Sequence, residues 1–342
     1  MRALSLLATI VGCSSLALAQ DTVWNLDANA PASYDLNGSN FTYPFPVKLY
    51  QFTSQRQQIE MAFMDVSPTC EPNGKTAVLL HGRNFCAATW EETIRVLSGA
   101  GYRVIAVDQI GFCKSTKPER YQFSLAQLAQ NTRNLLTTVG VGNVTVIGHS
   151  LGGMLATRFG RMFADSIDRL VIVNALGLED YIALGVPYRG VDENFVTEAA
   201  MTHDSIRAYE QDTYYVGQWK PEYDVWVDML VNIYHGSKAA TYALDQAQVI
   251  DTVLTQPIAH EFALLQPRTL LLIGDKDNTA IGKQWAPPEV AAKLGHFDVL
   301  GPSVVAQIPN AELIHFPDLG HAPQISEPER FHAALLGWLS NE

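Results

Sequence analysis

The sequence predicts an α/β fold, a mostly parallel and doubly wound sheet carrying a helical insertion, and three observations support that prediction. From Thr76 onward, short continuous apolar runs alternate with amphipathic ones. Strands buried on both faces, and the helices that cover them, have this pattern. The string Gly148-His149-Ser150-Leu151-Gly152 lies between a strand-like run, 143–147, and a helix-like run, 154–163. The alternation lapses from about Glu179 to Gln266 and then resumes, which marks an inserted unit.

Taken in order, Met1-Arg2, a mostly apolar stretch over 3–18 and Ala17-Leu18-Ala19 have the form of a secretory signal peptide cut after Ala19. Its apolar run is shorter than the ~20 residues that a membrane span needs. Ile10-Val11-Gly12-Cys13 superficially fits a lipoprotein cleavage box as well. A polar N-terminal arm follows over 20–43. The runs 47–53 and 59–66 read as an opening hairpin, and Pro68 to Gly74 as a turn. Strands at 77–80, 104–107, 144–147 and 170–173 then alternate with helices at 89–97, 125–139 and 151–163. Residues 269–273 and 312–316 complete the sheet and 326–340 form the closing helix. The division expected is a core over 44–180 and 266–342 with a helical cap over 181–265. Seven aromatic residues crowd the cap, at 209, 214, 215, 219, 223, 226 and 234. Of these, Trp219 and Tyr215 are read as substrate contacts, the alternative being that they form the cap's own core.

With 342 residues, 47% hydrophobic and 17% charged, the chain can bury a large core. Its formal net charge of -12 repels phosphate backbones and anionic surfaces. Nucleic acid is therefore not an expected partner, nor is stable membrane insertion. Beyond the leader stand Cys70, Cys86 and Cys113, an odd set for an oxidising compartment. Cys86 and Cys113 follow successive strand-like runs, so adjacent loops of one sheet could bridge them; the alternative is three buried thiols. Asn37, Asn40 and Asn143 head glycosylation triplets for a eukaryotic host. The first two, in the polar arm, are expected to be the exposed ones.

Chemistry enters at Ser150. A nucleophilic serine must project from a sharp strand-to-helix turn, and Gly148 and Gly152 let the backbones pass closely there. The serine needs a base, and the base needs an orienting group. His321, in Asp318-Leu-Gly-His-Ala-Pro323 between the last strand and the last helix, can reach back over the sheet's C-terminal edge as that base. The loop after 269–273 supplies Gly274-Asp275-Lys276-Asp277, and Asp277 is preferred as the orienting acid, with Asp275 as fallback. Two amides must face the developing oxyanion, each worth ~3 kcal/mol. Leu151, after the serine, and Arg83, in the loop after the first parallel strand, are the residues assigned. His81, His149, His315 and His332 read as structural occupants.

These pieces, with His81-Gly82 and Asp108-Gln-Ile-Gly-Phe-Cys-Lys-Ser115, resemble the α/β-hydrolase superfamily from about Val47 to the end. The resemblance is to its cap-bearing branch of esterases, C–C bond hydrolases, epoxide hydrolases and haloalkane dehalogenases. It implies a doubly wound sheet and a Ser–His–Asp triad. Two residues depart from it. Cys113 stands where relatives place a glycine, which favours the bridge to Cys86. Arg83 stands where relatives often place an apolar residue: its side chain either faces solvent or turns inward to pair with a substrate carboxylate. Epoxide hydrolases and dehalogenases use an aspartate nucleophile, so Ser150 leaves hydrolysis of an ester or lactone, or C–C cleavage beside a ketone. A non-catalytic binding protein on the same scaffold is the reading from another class. Neither a metal cluster nor a nucleotide fingerprint is present in the sequence, and no cofactor is expected.

Overall fold

The computed structural model describes residues 21–25 and 34–341. The expected leader over 1–19 lies outside the described residues. The described strands are β1 (Thr22–Asn25), β2 (Val47–Ser54), β3 (Gln57–Val66), β4 (Thr76–Leu80), β5 (Arg103–Val107), β6 (Val144–His149), β7 (Ile167–Val173), β8 (Thr269–Gly274) and β9 (Ala311–Phe316). They form one sheet in the order β1-β2-β3-β5-β4-β6-β7-β8-β9. The first three are antiparallel and the other six run parallel.

This order follows from burial. β4, β6 and β8 are apolar throughout or nearly so and are covered on both faces, as a parallel interior requires. β2 and β3 keep partly exposed positions, consistent with a hairpin near one edge. Helices α1 (Glu91–Gly99), α2 (Leu125–Thr138) and α3 (Leu151–Met162) supply the crossovers. α2 starts where the Ser124 side chain accepts a hydrogen bond from the Gln127 amide, and it buries Leu125, Leu128, Leu135 and Leu136. Two apolar clusters, one on each face of the sheet, make up most of the core.

Between β7 and β8 the chain forms α4 (Val191–Ala199), α5 (His203–Thr213), α6 (Asp224–Tyr234) and α7 (Ala239–Thr255), with α4 lying against α7. A second excursion separates β8 from β9 and contains α8 (Phe297–Val305). The last helix, α9 (Pro328–Ser340), buries Phe331, Leu335, Trp338 and Leu339. Among the described residues, no helix is long and apolar enough to cross a membrane.

The N-terminal segment is more closely packed than its polarity suggests. β1 adds to the sheet edge beside β2, and Lys117 Nζ donates to the Asn37 carbonyl oxygen at 2.7 Å. Asn37 Nδ2 donates to the Lys114 carbonyl oxygen at 2.8 Å, and Ser39 is fully buried. The glycosylation triplet at Asn37 is therefore folded into the protein, Asn40 is half-buried, and Asn143 is the exposed one of the three. Polar composition signalled exposure, but the loop over 113–117 uses those polar groups as partners.

Cys86 and Cys113 are joined by a disulfide with Cα atoms 5.8 Å apart, and Cys70 is an exposed free thiol. Peptide mapping without reductant is expected to recover 86 and 113 in one linked species and Cys70 alkylated. Two separate alkylated peptides for 86 and 113 would show the bridge absent.

Candidate active site

β6 runs directly into the turn at Ser150, which sits at φ 58° and ψ -120° before α3 begins at Leu151. A non-glycine residue in this region is strained, and the surrounding packing must hold it there. The flanking glycines are required by contact: a Cβ on Gly148 would lie 2.0 Å from the Gly152 carbonyl oxygen, and one on Gly152 would lie 2.0 Å from that of Leu80. Gly82, in the loop after β4, passes so close that a Cβ there would meet Ser150 Cβ at 2.9 Å. That loop also carries Arg83.

What fixes the loop is Asp108, at the end of β5. Its Oδ1 accepts the amide of Ala87 at 2.8 Å and its Oδ2 the amide of Lys114 at 3.0 Å, while Tyr43 donates its hydroxyl to Oδ2 at 2.5 Å. Ala87 and Lys114 directly follow the two bridged cysteines, so one carboxylate and one disulfide clamp both loops. Cys86, Asp108 and Cys113 have ligand atoms within 4.8 Å of one another. The sulfurs are bonded to each other and the carboxylate is taken by three donors, so the group fits a structural role rather than a metal.

His321 is completely buried, and its Nδ1 lies 2.6 Å from Asp277 Oδ2. Because a carboxylate only accepts, Nδ1 carries the hydrogen and Nε2 presents a lone pair. Nε2 is buried without a hydrogen-bond partner among the described residues. Asp275 turns elsewhere, to His315 Nδ1 at 3.2 Å. His149 links the serine to the base: its Nε2 donates to the His321 carbonyl oxygen at 2.7 Å, and the two rings lie 4.8 Å apart. Burial and the neighbouring His321 hold the His149 imidazole well below its usual range, so it stays neutral. His81 is likewise structural, accepting the Gln109 amide at 3.1 Å.

Three contributors were not visible in the sequence. Asn174, just after β7 at φ 38°, donates to Asp277 Oδ2 at 2.8 Å and accepts the Gly274 amide at 2.9 Å. Tyr214 lays its ring 4.8 Å from that of His321 and accepts a hydrogen bond from Asn84 Nδ2 at 3.0 Å. Glu198 pairs with Arg83, as described below. Asn174→Gly, which tolerates the same positive φ, is expected to lower kcat about tenfold with little change in KM, since it frees Asp277 without touching the pocket. Steady-state kinetics check this, and an unchanged kcat would remove Asn174 from the site.

A cavity of about 320 Å³ opens beneath the cap. Arg83, Asn84, Glu198 and Tyr234 line it, among apolar residues such as Leu230 and Ile250. Ser150 and His321 do not line it. The wall at Arg83-Asn84 nevertheless belongs to the loop that touches Ser150 through Gly82. The Arg83 guanidinium turns inward, not to solvent, and its Nη1 lies 3.0 Å from Glu198 Oε1. Trp219 and Tyr215 are absent from this lining, as Ser150 and His321 are. Tyr215 stacks on Tyr223 at 3.7 Å with Trp219 edge-on, a small aromatic core that holds the cap together.

An elbow serine at the end of a central parallel strand, under a helical insertion, defines the α/β-hydrolase class. Residues 76–328 match the family described as the alpha/beta hydrolase fold, and the chain belongs to that family. A crystal structure of a probable hydrolytic enzyme from Pseudomonas aeruginosa PAO1 superposes with a TM-score of 0.86 at 53% identity, covering 87% of this chain and 96% of that one. An uncharacterized protein of Mycobacterium tuberculosis is 37% identical over 106 residues, 31% of this chain and only 30% of that protein's length. A 2-hydroxy-6-oxo-6-(2'-aminophenyl)hexa-2,4-dienoic acid hydrolase of Metapseudomonas resinovorans is 24% identical over 78% of this chain and 84% of its own. The chain is thus similar to hydrolases over most of its length.

Proposed function

We propose that this hydrolase cleaves a carboxylic ester or lactone through an acyl-enzyme formed on Ser150, and that it works outside the cytoplasm. The buried pair of Asp277 and His321, with Nε2 left unpartnered, carries this reading. In the reaction, Ser150 Oγ attacks the carbonyl carbon as its proton passes to His321 Nε2. The tetrahedral oxyanion rests on the amides of Leu151 and Arg83. His321 then returns the proton to the departing alcohol, and water releases the acyl group by the same route. Leu151 opens α3, so its amide has no carbonyl acceptor within the helix and points where negative charge is favoured. The route uses side chains and backbone only, with no metal or organic cofactor. The Cys86–Cys113 disulfide supports a secreted or periplasmic location, because such bonds persist in oxidising compartments.

Cleavage of a C–C bond beside a ketone is the second reading, favoured by the dienoic acid hydrolase among the relatives. A panel of p-nitrophenyl esters, lactones and β-diketones separates the two. Turnover of esters or lactones is expected; turnover confined to the diketones selects the second reading. Absence of both turnover and labelling by a fluorophosphonate probe would point to a binding protein.

A further inference from the structure

Arg83 and Glu198 meet in the lining of the cap cavity, where their side chains are only 12% and 2% exposed. Both carboxylate oxygens of Glu198 are engaged: Oε1 accepts from Arg83 Nη1 at 3.0 Å, and Oε2 accepts from the Tyr234 hydroxyl. Burial works against the Arg83 cation, and the adjoining Glu198 carboxylate more than offsets this, so the guanidinium stays charged. One positive and one negative group leave this part of the lining neutral. The remaining walls are mostly apolar. A second cation in the lining, Arg189, sits over the Trp285 ring, donating to the Glu193 carbonyl and to Thr197 Oγ1.

We propose that Glu198 is a specificity-determining residue: by occupying the Arg83 guanidinium it reserves the cavity for uncharged, largely apolar substrates and closes it to chains that end in a carboxylate. This inference rests on the cavity being the place where the substrate chain lies. An incoming carboxylate finds the Arg83 charge already taken by Glu198 and has to shed its water there without replacement. Selectivity of this kind comes from a denied partner as much as from a favourable contact. Removing the charge at 198 reverses the situation, since the guanidinium is then buried alone and a ligand carboxylate restores its pair.

The test compares p-nitrophenyl butanoate with the mono-p-nitrophenyl ester of glutaric acid, which adds a terminal carboxylate. In parallel, calorimetry follows binding of heptanoate and heptan-1-ol. The wild-type protein is expected to favour the neutral ester by tenfold or more in kcat/KM. Glu198→Gln is expected to shift that ratio at least tenfold toward the anionic ester and to tighten heptanoate but not heptan-1-ol. A wild type that accepts both esters equally overturns the proposal without any variant. So does a folded Glu198→Gln that keeps the wild-type ratio and gains no heptanoate affinity. The binding arm is independent of turnover. Tightened heptanoate in a protein that turns over none of the esters, lactones and diketones and takes no fluorophosphonate label supports the role of Glu198 while defeating the serine-hydrolase reading, and hydrolysis with unaltered selectivity does the reverse.

Discussion

Ser150→Ala is expected to lower turnover of any ester the protein accepts by at least ~10,000-fold and to leave the melting temperature almost unmoved. Both halves of that outcome follow from the elbow. Alanine keeps the Cβ that packs beneath Gly82, and it meets the same backbone strain at φ 58° that serine already bears. The loss is therefore confined to the hydroxyl that attacks. Binding of a neutral product analogue should persist, because the cap cavity is lined by other residues. Residual activity is expected from the amides of Arg83 and Leu151, which still polarise the carbonyl. Kinetics together with a thermal melt check this. A fall of tenfold or less would mean that another group attacks the substrate, and a large drop in melting temperature would make Ser150 a structural residue.

Such a variant could be chosen from sequence because the elbow is local. Strand, glycine-flanked serine and helix all lie within 20 consecutive residues, and the steric demand on Gly148 and Gly152 leaves a trace in composition. The parallel strands were legible for a similar reason, since burial on both faces enforces unbroken apolar runs. His321 and Asp277 were legible because each follows a strand, and strand ends in such a sheet meet at one rim. Asn174 was not: it contacts Asp277 across 103 residues of chain, and an asparagine after a strand usually signals only a turn. The Arg83–Glu198 pair spans 115 residues and depends on how the cap docks, which residue spacing does not encode. Asn37 misled because a polar side chain can serve the backbone of a distant loop, here that of Lys114.

Glu210→Gln is expected to stabilise the protein, and by more as the pH rises. Glu210, on α5, is fully buried and neither carboxylate oxygen has a hydrogen-bond partner among the described residues, so burial pushes its carboxyl up to about 8. In the unfolded chain a glutamate loses its proton near ~4.3. Between those values the folded protein holds a proton that the unfolded chain has released. Stability from this group is therefore intact below ~4.3 and is lost as pH climbs toward 8. At pH 7 the accumulated loss is about 3–4 kcal/mol, and at pH 5 it is about 1 kcal/mol. Glutamine fills the same space and cannot ionise, so it removes the titration while leaving a buried polar group much like the protonated acid. Asp245, also pushed up to about 8 by burial with Lys117 opposing, contributes a second loss over the same range. His332 acts in the other direction. Burial lowers its imidazole to about 4, so its contribution is present above ~6.5 and is lost as pH falls toward 4. Between ~4.3 and ~6.5 the two carboxyls outweigh the one imidazole, so these groups should make wild-type stability fall as pH rises, and Glu210→Gln should nearly level the curve over that range. Denaturant titrations at pH 5, 7 and 8 check the prediction. An equal gain at every pH, or none, would mean that Glu210 is ionised and partnered in the folded protein.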